Sequence, residues 1–388
     1  MRTPKVCVAL TSIYQGDVLD GYSRQAEAEE ISELVRFIVI ADRKSPAALY
    51  DKCKLLERLG FDVLCLALEE QEEYLRRFGN LSRLIPYNSD NRRNIGYLMA
   101  LESGCDVLIS LDDDNYCLNA ANAYAEYMVV SGGEQTLSAV HSDNGWYNVC
   151  DLLELDSKAR VYPRGFPYHR RHQESKVAFR QETGVIRLNA GLWLGDPDLD
   201  ALTWLVTPVR AKSFKGPSVL LGENTWSPIN TQNTSLHRDL IISFYFVPMA
   251  HHVSGHPIER YGDIFAGYFC QKCVRHLGHR IRVGAPVALH KRNAHDYFTD
   301  LDGEIGCIRL LEDLMPWLEE VRLEGQTYGD AYLSLAAAME DQVARFQGSL
   351  WSPAARSYFH YMAYCMRQWV SACRMILGGS CRRSSLLP

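Results

Sequence analysis

The sequence is poor in the features that assign a chain at a glance. No apolar run approaches the ~20 residues needed to span a bilayer. The start, Met1-Arg2-Thr3-Pro4-Lys5, enters a short strand without the long apolar core of a signal peptide. Basic residues show no surplus: 41 Lys and Arg stand against 47 Asp and Glu, a net charge of -6, which argues against nucleic acid and anionic membrane as partners. There is no Gly-x-Gly-x-x-Gly fingerprint, so a flavin or dinucleotide is not expected. Repeats and low-complexity linkers are also missing. Twelve cysteines are present, but they lie singly in apolar settings such as Val6-Cys7-Val8 and Leu64-Cys65-Leu66. The one close pair, Cys270 and Cys273, has no second pair at zinc-ribbon spacing and reads as packing. These absences predict a cytoplasmic protein with reduced, buried thiols.

What is present is organised around Val107-Leu108-Ile109-Ser110-Leu111, a buried-strand pattern that runs into Asp112-Asp113-Asp114. Strands that deliver acids at their carboxyl ends place ligands at the rim of an open α/β sheet. Strand alternation puts Asp112 and Asp114 on one face and Asp113 on the other. Two like-facing carboxylates make half a site for a hard divalent ion, Mn²⁺ or Mg²⁺, which is usually completed by water and substrate phosphates. A solvated acidic turn or a helix cap is the plainer alternative.

Upstream, apolar runs at Lys5 to Thr11, Phe37 to Ala41 and Phe61 to Leu68 alternate with helical patterns. That alternation predicts parallel pairing with right-handed crossovers. The second run ends in Asp42, at the same rim. From about Glu134 the rhythm changes to short β-like pieces between polar, aromatic and Gly/Pro-rich loops. A helix is expected from Tyr261 to Leu277 and a returning strand from Arg280 to Ala288, ending near His290. From Glu304 to Met375 the pattern is helical.

Several residues could carry chemistry. Tyr162-Pro163-Arg164-Gly165-Phe166-Pro167-Tyr168 brackets one arginine with prolines and aromatics, a setting that would fix a guanidinium for bidentate phosphate recognition, unless Arg164 is simply a surface residue. Arg93 begins the helix before the acidic strand and could add charge and N–H groups for a phosphate. Asp198 and Asp200 lie beyond Trp193, where carboxylates beside an aromatic wall hold sugar hydroxyls, though a capped turn explains them equally well. Asp263 is a further acid whose plainer role is an N-cap. His290 is either a metal ligand or a hydrogen-bonded structural residue.

Laid out in order, these segments resemble the reversibly glycosylated polypeptides, the UDP-arabinopyranose mutase family, over about Val6 to Leu335. The resemblance rests on Asp42, on Arg93 before Gly96-Tyr97, on the acidic triplet, and on Arg164-Gly165-Phe166-Pro167. It continues through Gly191-Leu192-Trp193-Leu194 with Pro197-Asp198 and Asp200, Arg260-Tyr261-Gly262-Asp263, and His290-Lys291. It implies a glycosyltransferase-A-like α/β fold. A Rossmann-like nucleotide half would span 1–133, a sugar- and metal-binding half of the same domain 134–303, a helical region 304–377 and a tail 378–388. It further implies that Arg164 corresponds to the family's reversibly glycosylated arginine, needed for mutase activity. Thr11, Asp42, Arg93, Asp112 and Asp113 would serve the nucleotide and diphosphate, Asp112, Asp114 and His290 the metal, and Arg164, Asp198, Asp200 and Asp263 the sugar chemistry. The insertion around His169 to Glu182 and Gly262 in place of an acid depart from the plant pattern. Bacterial relatives of this kind resemble GDP-sugar mutases of antibiotic biosynthesis.

The expectation is thus a metal-dependent, flavin-independent mutase that interconverts the pyranose and furanose forms of an NDP-hexose. A GDP-sugar such as GDP-L-galactose or GDP-L-fucose is favoured, and a homo-oligomer is allowed. The alternatives are an ordinary glycosyltransferase on the same diphosphate site and a non-catalytic nucleotide-sugar-binding scaffold.

Overall fold

A computed structural model describes residues 3–118, 122–249, 251–253 and 255–379. Residues 380–388, most of the expected tail, lie outside the described residues. The N-terminal part alternates as the apolar periodicity requires: β1 (Val6–Ser12), α1 (Val18–Ala28), β2 (Val35–Ala41), α2 (Ala47–Arg58), β3 (Asp62–Leu64), α3 (Leu68–Arg76), α4 (Leu81–Leu84), α5 (Arg93–Ser103) and β4 (Val107–Leu111). β1 lies between β2 and β4, β3 lies beyond β2, and all are parallel. Such strands are covered on both faces, and every residue of β4 is buried, which is why they read as unbroken apolar runs.

The chain continues through β5 (Asn115–Cys117), α6 (Ala123–Met128), β6 (Glu134–Ser142), β7 (Leu153–Leu155), α7 (Tyr168–Arg171), β8 (Val177–Gly195), α8 (Ala201–Val206), β9 (Ala211–Phe214), β10 (Val219–Leu221), β11 (Asn233–His237), β12 (His251–Val253), β13 (His256–Ile258), α9 (Gly262–His276) and β14 (Arg280–His290). β11 enters antiparallel between β4 and β8, so one sheet runs from the Rossmann-like half into the second half without a break. The strand order β3-β2-β1-β4-β11-β8 matches the α/β, glycosyltransferase-A-like expectation. β14 pairs parallel with β8 and antiparallel with β5, which returns His290 beside Asn115, one residue past the acidic triplet.

Three helices follow: α10 (Tyr297–Glu320), α11 (Tyr328–Val343) and α12 (Pro353–Gly379). α12 buries Tyr358, Met362, Met366, Trp369 and Ile376, a stripe at helical spacing. It is anchored where Tyr358 Oη donates to the Pro248 carbonyl (2.8 Å) and Trp369 Nε1 to the Ile241 carbonyl (3.3 Å). The third strand is much shorter than the run 61–68 predicts, because pairing with β2 stops at Leu64 and α3 begins at Leu68. The helical region begins at Tyr297 rather than Glu304, where Asp296 caps the Phe298 N–H (3.0 Å). No helix of the described residues is long and apolar enough to cross a membrane.

Candidate functional site

At the carboxyl rim of β1, β2 and β4 lies a cleft of about 520 Å³. Its walls carry eight carboxylates, Asp42, Asp90, Asp112, Asp113, Asp114, Asp198, Glu259 and Asp263, against five cationic side chains, Lys44, Arg93, Arg164, Arg260 and Arg292. β4 ends at Leu111, so the acidic triplet sits in the turn before β5 and strand alternation does not govern it. All three acids face the cleft, but each has its own partner.

Asp112 pairs with Arg93 (2.5 Å). Asp113 Oδ2 accepts from the Ile13 N–H (3.3 Å), and Asp114 Oδ2 meets His290 Nε2 (3.3 Å). Burial, countered by Arg93 and reinforced by Asp114, Asp90 and Asp263, pushes the Asp112 carboxyl up to about 7. Burial also outweighs the Ser12 hydrogen bond at Asp113 and lifts it to about 6. Asp114 behaves oppositely: burial raises it, but the hydrogen bond and charge of His290 hold it below the usual carboxylate range. Carboxylates crowded enough to resist ionisation call for a cation.

Arg93 is buried. It donates to the Thr231 carbonyl (3.1 Å) and hydroxyl (3.0 Å) and to Thr11 Oγ1 (3.2 Å). It therefore ties the ends of β1 and β4 to the loop before β11 and positions Asp112 rather than offering a free fork to a phosphate. Asp42 closes the other end of the cleft, accepting from the Arg43 N–H (2.7 Å) and the Ser89 N–H (3.3 Å). Each oxygen keeps lone-pair capacity for a ligand.

Arg164 is fixed, as its prolines and aromatics imply, but its partners are protein. Nε and Nη2 donate to Asp198 (2.9 and 3.1 Å), and Nη2 and Nη1 donate to Asp263 (2.6 and 3.1 Å). Nη1 also donates to the Arg260 carbonyl. All five guanidinium N–H groups are thereby engaged, which corrects the expectation of a fork open to phosphate. The local chain is built for this. Gly165 adopts φ +88°, and a Cβ there would lie 2.5 Å from Ile264 of α9. Arg260 itself takes a left-handed φ of 59°, aiming its carbonyl at Nη1. Burial opposes the Asp198 charge, yet Arg164 and Asn230 hold its carboxyl below the ordinary range, so it is a poor proton acceptor.

His290 is buried at the end of β14, its Nδ1 against the Asp196 carbonyl (2.6 Å) and its Nε2 toward Asp114. Burial lowers its basicity, but Asp114 more than restores it, and the net shift is upward. Gly195, at φ +82°, passes so close that a Cβ would lie 2.5 Å from the His290 carbonyl. Of the expected metal trio, Asp114 and His290 meet and Asp112 is engaged by Arg93. Among the described residues no group of three or more His, Cys, Asp or Glu side chains is disposed to hold an ion.

Asp200 is corrected to a structural residue. It caps α8 through the Thr203 N–H (2.8 Å), accepts from Tyr168 Oη (2.9 Å), pairs with Arg171 (2.5 Å), and is fully buried outside the cleft lining. Trp193 packs in the core and gives no sugar wall. Sequence reasoning gave no site role to Arg260, Arg292, Glu259, Lys44, Thr231 and Gln232, all of which line the cleft. The polar run Asn230 to Ser235 is buried throughout. Two non-glycine residues with positive φ, Asn88 and Arg260, lie on the cleft wall, a signal that only coordinates reveal.

A family model described as reversibly glycosylated polypeptide matches residues 33–377. Among curated relatives, UDP-arabinopyranose mutase 1 of Arabidopsis thaliana is 25% identical over 317 residues, covering 81% of this chain and 80% of its own. UDP-arabinopyranose mutase 1 of Oryza sativa subsp. japonica is 26% identical over 317 residues, covering 81% and 78%. Among solved structures, glucosyl-3-phosphoglycerate synthase from Mycobacterium tuberculosis in complex with Mn²⁺, UDP-glucose and phosphoglyceric acid is similar at a TM-score of 0.39 and 12% identity, covering 80% and 79%.

Proposed function

The chain belongs to the reversibly glycosylated polypeptide family, and from that premise we propose that it is an isomerase, a nucleotide-sugar mutase that interconverts pyranose and furanose forms of an NDP-sugar. The observation that carries this reading is the opening of two clusters into one cleft. Asp112, Asp113, Asp114 and His290 lie on one side, and Arg164 clasped by Asp198 and Asp263 on the other. A volume of about 520 Å³ is in the range of ligand-binding clefts.

A divalent ion, Mn²⁺ or Mg²⁺, fits the donors present. Asp114 would offer a carboxylate, and His290, its Nδ1 held by the Asp196 carbonyl, would offer Nε2 once the ion displaces the proton it shares with Asp114, with diphosphate and water completing the shell. Such an ion would neutralise the diphosphate as the anomeric C–O bond breaks. The chain's own residues do the rest. Arg93 holds Asp112 in place. Arg164 holds Asp198 and Asp263 so that their remaining lone pairs can orient sugar hydroxyls. The walls limit water while a sugar hydroxyl attacks the anomeric carbon and yields its proton to the Asp263 carboxylate; the diphosphate then returns to the anomeric carbon as the original ring C–O bond breaks, and the freed ring oxygen takes the proton back. Asp42 supports a GDP-sugar, because a carboxylate can take both N1–H and N2–H of guanine but only N3–H of uracil. The relatives' names point to UDP instead.

The test is one incubation of the protein with Mn²⁺ and a panel of GDP- and UDP-sugars, read by anomeric proton NMR. Isomerisation without acceptor is the expected result. Turnover only when an acceptor is added would assign a glycosyltransferase, and binding without turnover a scaffold. Calorimetry with GDP and UDP decides the base, and tighter UDP binding would overturn the guanine reading.

A further inference from the structure

The basic side chains of the cleft differ in how fully protein groups already engage them. Arg93 and Arg164 are bound by carboxylates at 2.5 and 2.6 Å. Arg260 is held by Glu304 (3.1 Å) and Asp300 (3.3 Å) of α10. Lys44 is exposed and lies two residues past Asp42, at the end of the cleft that would take the base. Arg292, two residues beyond His290, is the exception. Its side chain is only 6% exposed, yet nothing binds it closely. Nη2 is 3.6 Å from Asp300, Nη1 is 3.5 Å from the Leu199 carbonyl, and Nε is buried without a hydrogen-bond partner among the described residues. Charge-assisted N–H···O bonds run at about 2.7–2.9 Å, so these contacts leave a buried guanidinium short of partners.

Two features hold that guanidinium in place. It lies 5.2 Å from the Trp204 ring and 5.5 Å from the Tyr297 ring, which are themselves stacked at 5.9 Å. Arginine can stack on aromatic faces and still offer its planar fork to phosphate oxygens. The Arg292 N–H donates to Asp196 Oδ2 (3.1 Å), and the Asp196 carbonyl holds His290 Nδ1 (2.6 Å), so arginine and imidazole stand on one support. Burial, opposed by Asp198 and reinforced by Arg260, loosens its hold on its proton, a cost that an incoming anion would relieve.

We propose that Arg292 takes the outer, sugar-bearing phosphate of a nucleoside diphosphate, so that the cleft selects two phosphates over one; this rests on the nucleotide-sugar reading above. The outer phosphate is the match because Arg292 stands within the field of Asp198, Arg260 and Arg164, the sugar end, whereas Asp42 and Lys44 mark the other end. When the anomeric C–O bond breaks, its electron pair stays on that phosphate, adding a charge that a divalent ion alone leaves unbalanced. A guanidinium with open N–H groups is placed to meet it.

Calorimetry of the full chain with GDP, GMP, UDP and UMP, in Mn²⁺ and again in chelator, tests the proposal. Wild type should prefer the diphosphate of whichever base it takes. Arg292→Met should weaken that diphosphate ~10–100-fold and leave the monophosphate nearly unchanged, in both conditions, since hydrogen bonds to charged groups are worth that much. Its Tm should stay within about 2 °C of wild type, because Asp300 keeps Arg260 and His295 (2.9 Å) and Asp198 keeps Arg164. Arg292→Lys, which retains the charge without the fork, should keep part of the preference. Equal losses for diphosphate and monophosphate, no loss, a loss seen only with Mn²⁺, or a wild type indifferent to the second phosphate would each overturn the proposal. The mutase reading fails separately: diphosphate selection through Arg292 without isomerisation leaves this assignment standing, and isomerisation with an unaltered preference in Arg292→Met removes it alone. A wild type that binds none of the four nucleotides removes both.

Discussion

Removing the Arg164 guanidinium should act first on stability, and the size of the effect follows from its surroundings. Asp198 and Asp263 are 3% and 5% exposed and both donate their charge to this one cation. Arg164→Met keeps much of the side-chain volume but strands two buried carboxylates beside each other. Breaking a buried ion pair by deleting one partner costs about 3–5 kcal/mol. With an unfolding entropy of ~2.1 cal/mol/K per residue, the 388-residue chain carries ~0.8 kcal/mol/K, so Tm should fall by about 4–6 °C. Neutralising the carboxylates as well, in Arg164→Met with Asp198→Asn and Asp263→Asn, should recover most of that loss, because no unpaired charge remains. Arg164→Lys should fall between, since one ammonium cannot serve two bidentate carboxylates. Differential scanning calorimetry of the four proteins, with nucleotide binding measured alongside, is the assay. If Arg164→Met leaves Tm within about 1 °C of wild type while abolishing nucleotide binding, the arginine is a phosphate clamp and the carboxylate clasp is not its working state.

Other expectations follow from the same coordinates. Asp200→Ala should cost about 2–3 kcal/mol through the lost α8 cap and the unpaired, buried Arg171 guanidinium, yet leave kcat unchanged because Asp200 lies outside the cleft lining; a fall in kcat at unchanged stability would return it to the chemistry. Chelation should abolish turnover and Mn²⁺ or Mg²⁺ restore it, while Asp114→Asn should lose both metal response and activity with the fold intact; full activity in chelator refutes the metal reading. The Asp113 carboxyl, raised in the fold to about 6, binds its proton more tightly folded than unfolded, so its contribution to stability is present at acid pH and lost as pH climbs through about 6. Asp113→Asn should therefore raise Tm most at pH 7.5, about half as much at pH 5, and hardly at all below about pH 4, where the carboxyl is protonated folded and unfolded alike; equal shifts at pH 7.5 and pH 4 would contradict the cause given.

The sheet was legible because its strands are covered on both faces. Val6 to Leu10, Phe37 to Ala41 and Val107 to Leu111 have no reason to be so apolar unless buried, and alternation with helices left one common topology. Acids at strand ends were legible for the same reason, so Asp42 and the triplet were found where they stand. What was not legible is which charges meet. Arg164, Asp198 and Asp263 come from three separate segments, and only the fold shows that the arginine is fully engaged. Asp198 and Asp200 are two residues apart in similar company, but the turn into α8 sends one to the cleft and buries the other under Arg171. Arg260 acts through a left-handed backbone, which carries no side-chain signature.

The surplus of carboxylates on the cleft walls also governs how a ligand arrives. An approaching diphosphate meets a field of its own sign, set by the walls and by a chain of net charge -6, so its encounter rate is held below the neutral limit instead of being steered upward. Added salt should then speed capture of the bare nucleotide by screening that repulsion over ~8–10 Å, the reverse of the usual behaviour of anion-binding sites. A nucleotide that arrives already carrying a divalent ion has little net charge for the field to act upon, and its capture should be nearly indifferent to ionic strength. Stopped-flow rates at two salt concentrations would thus reveal whether the ion comes in with the substrate or waits for it at Asp114 and His290.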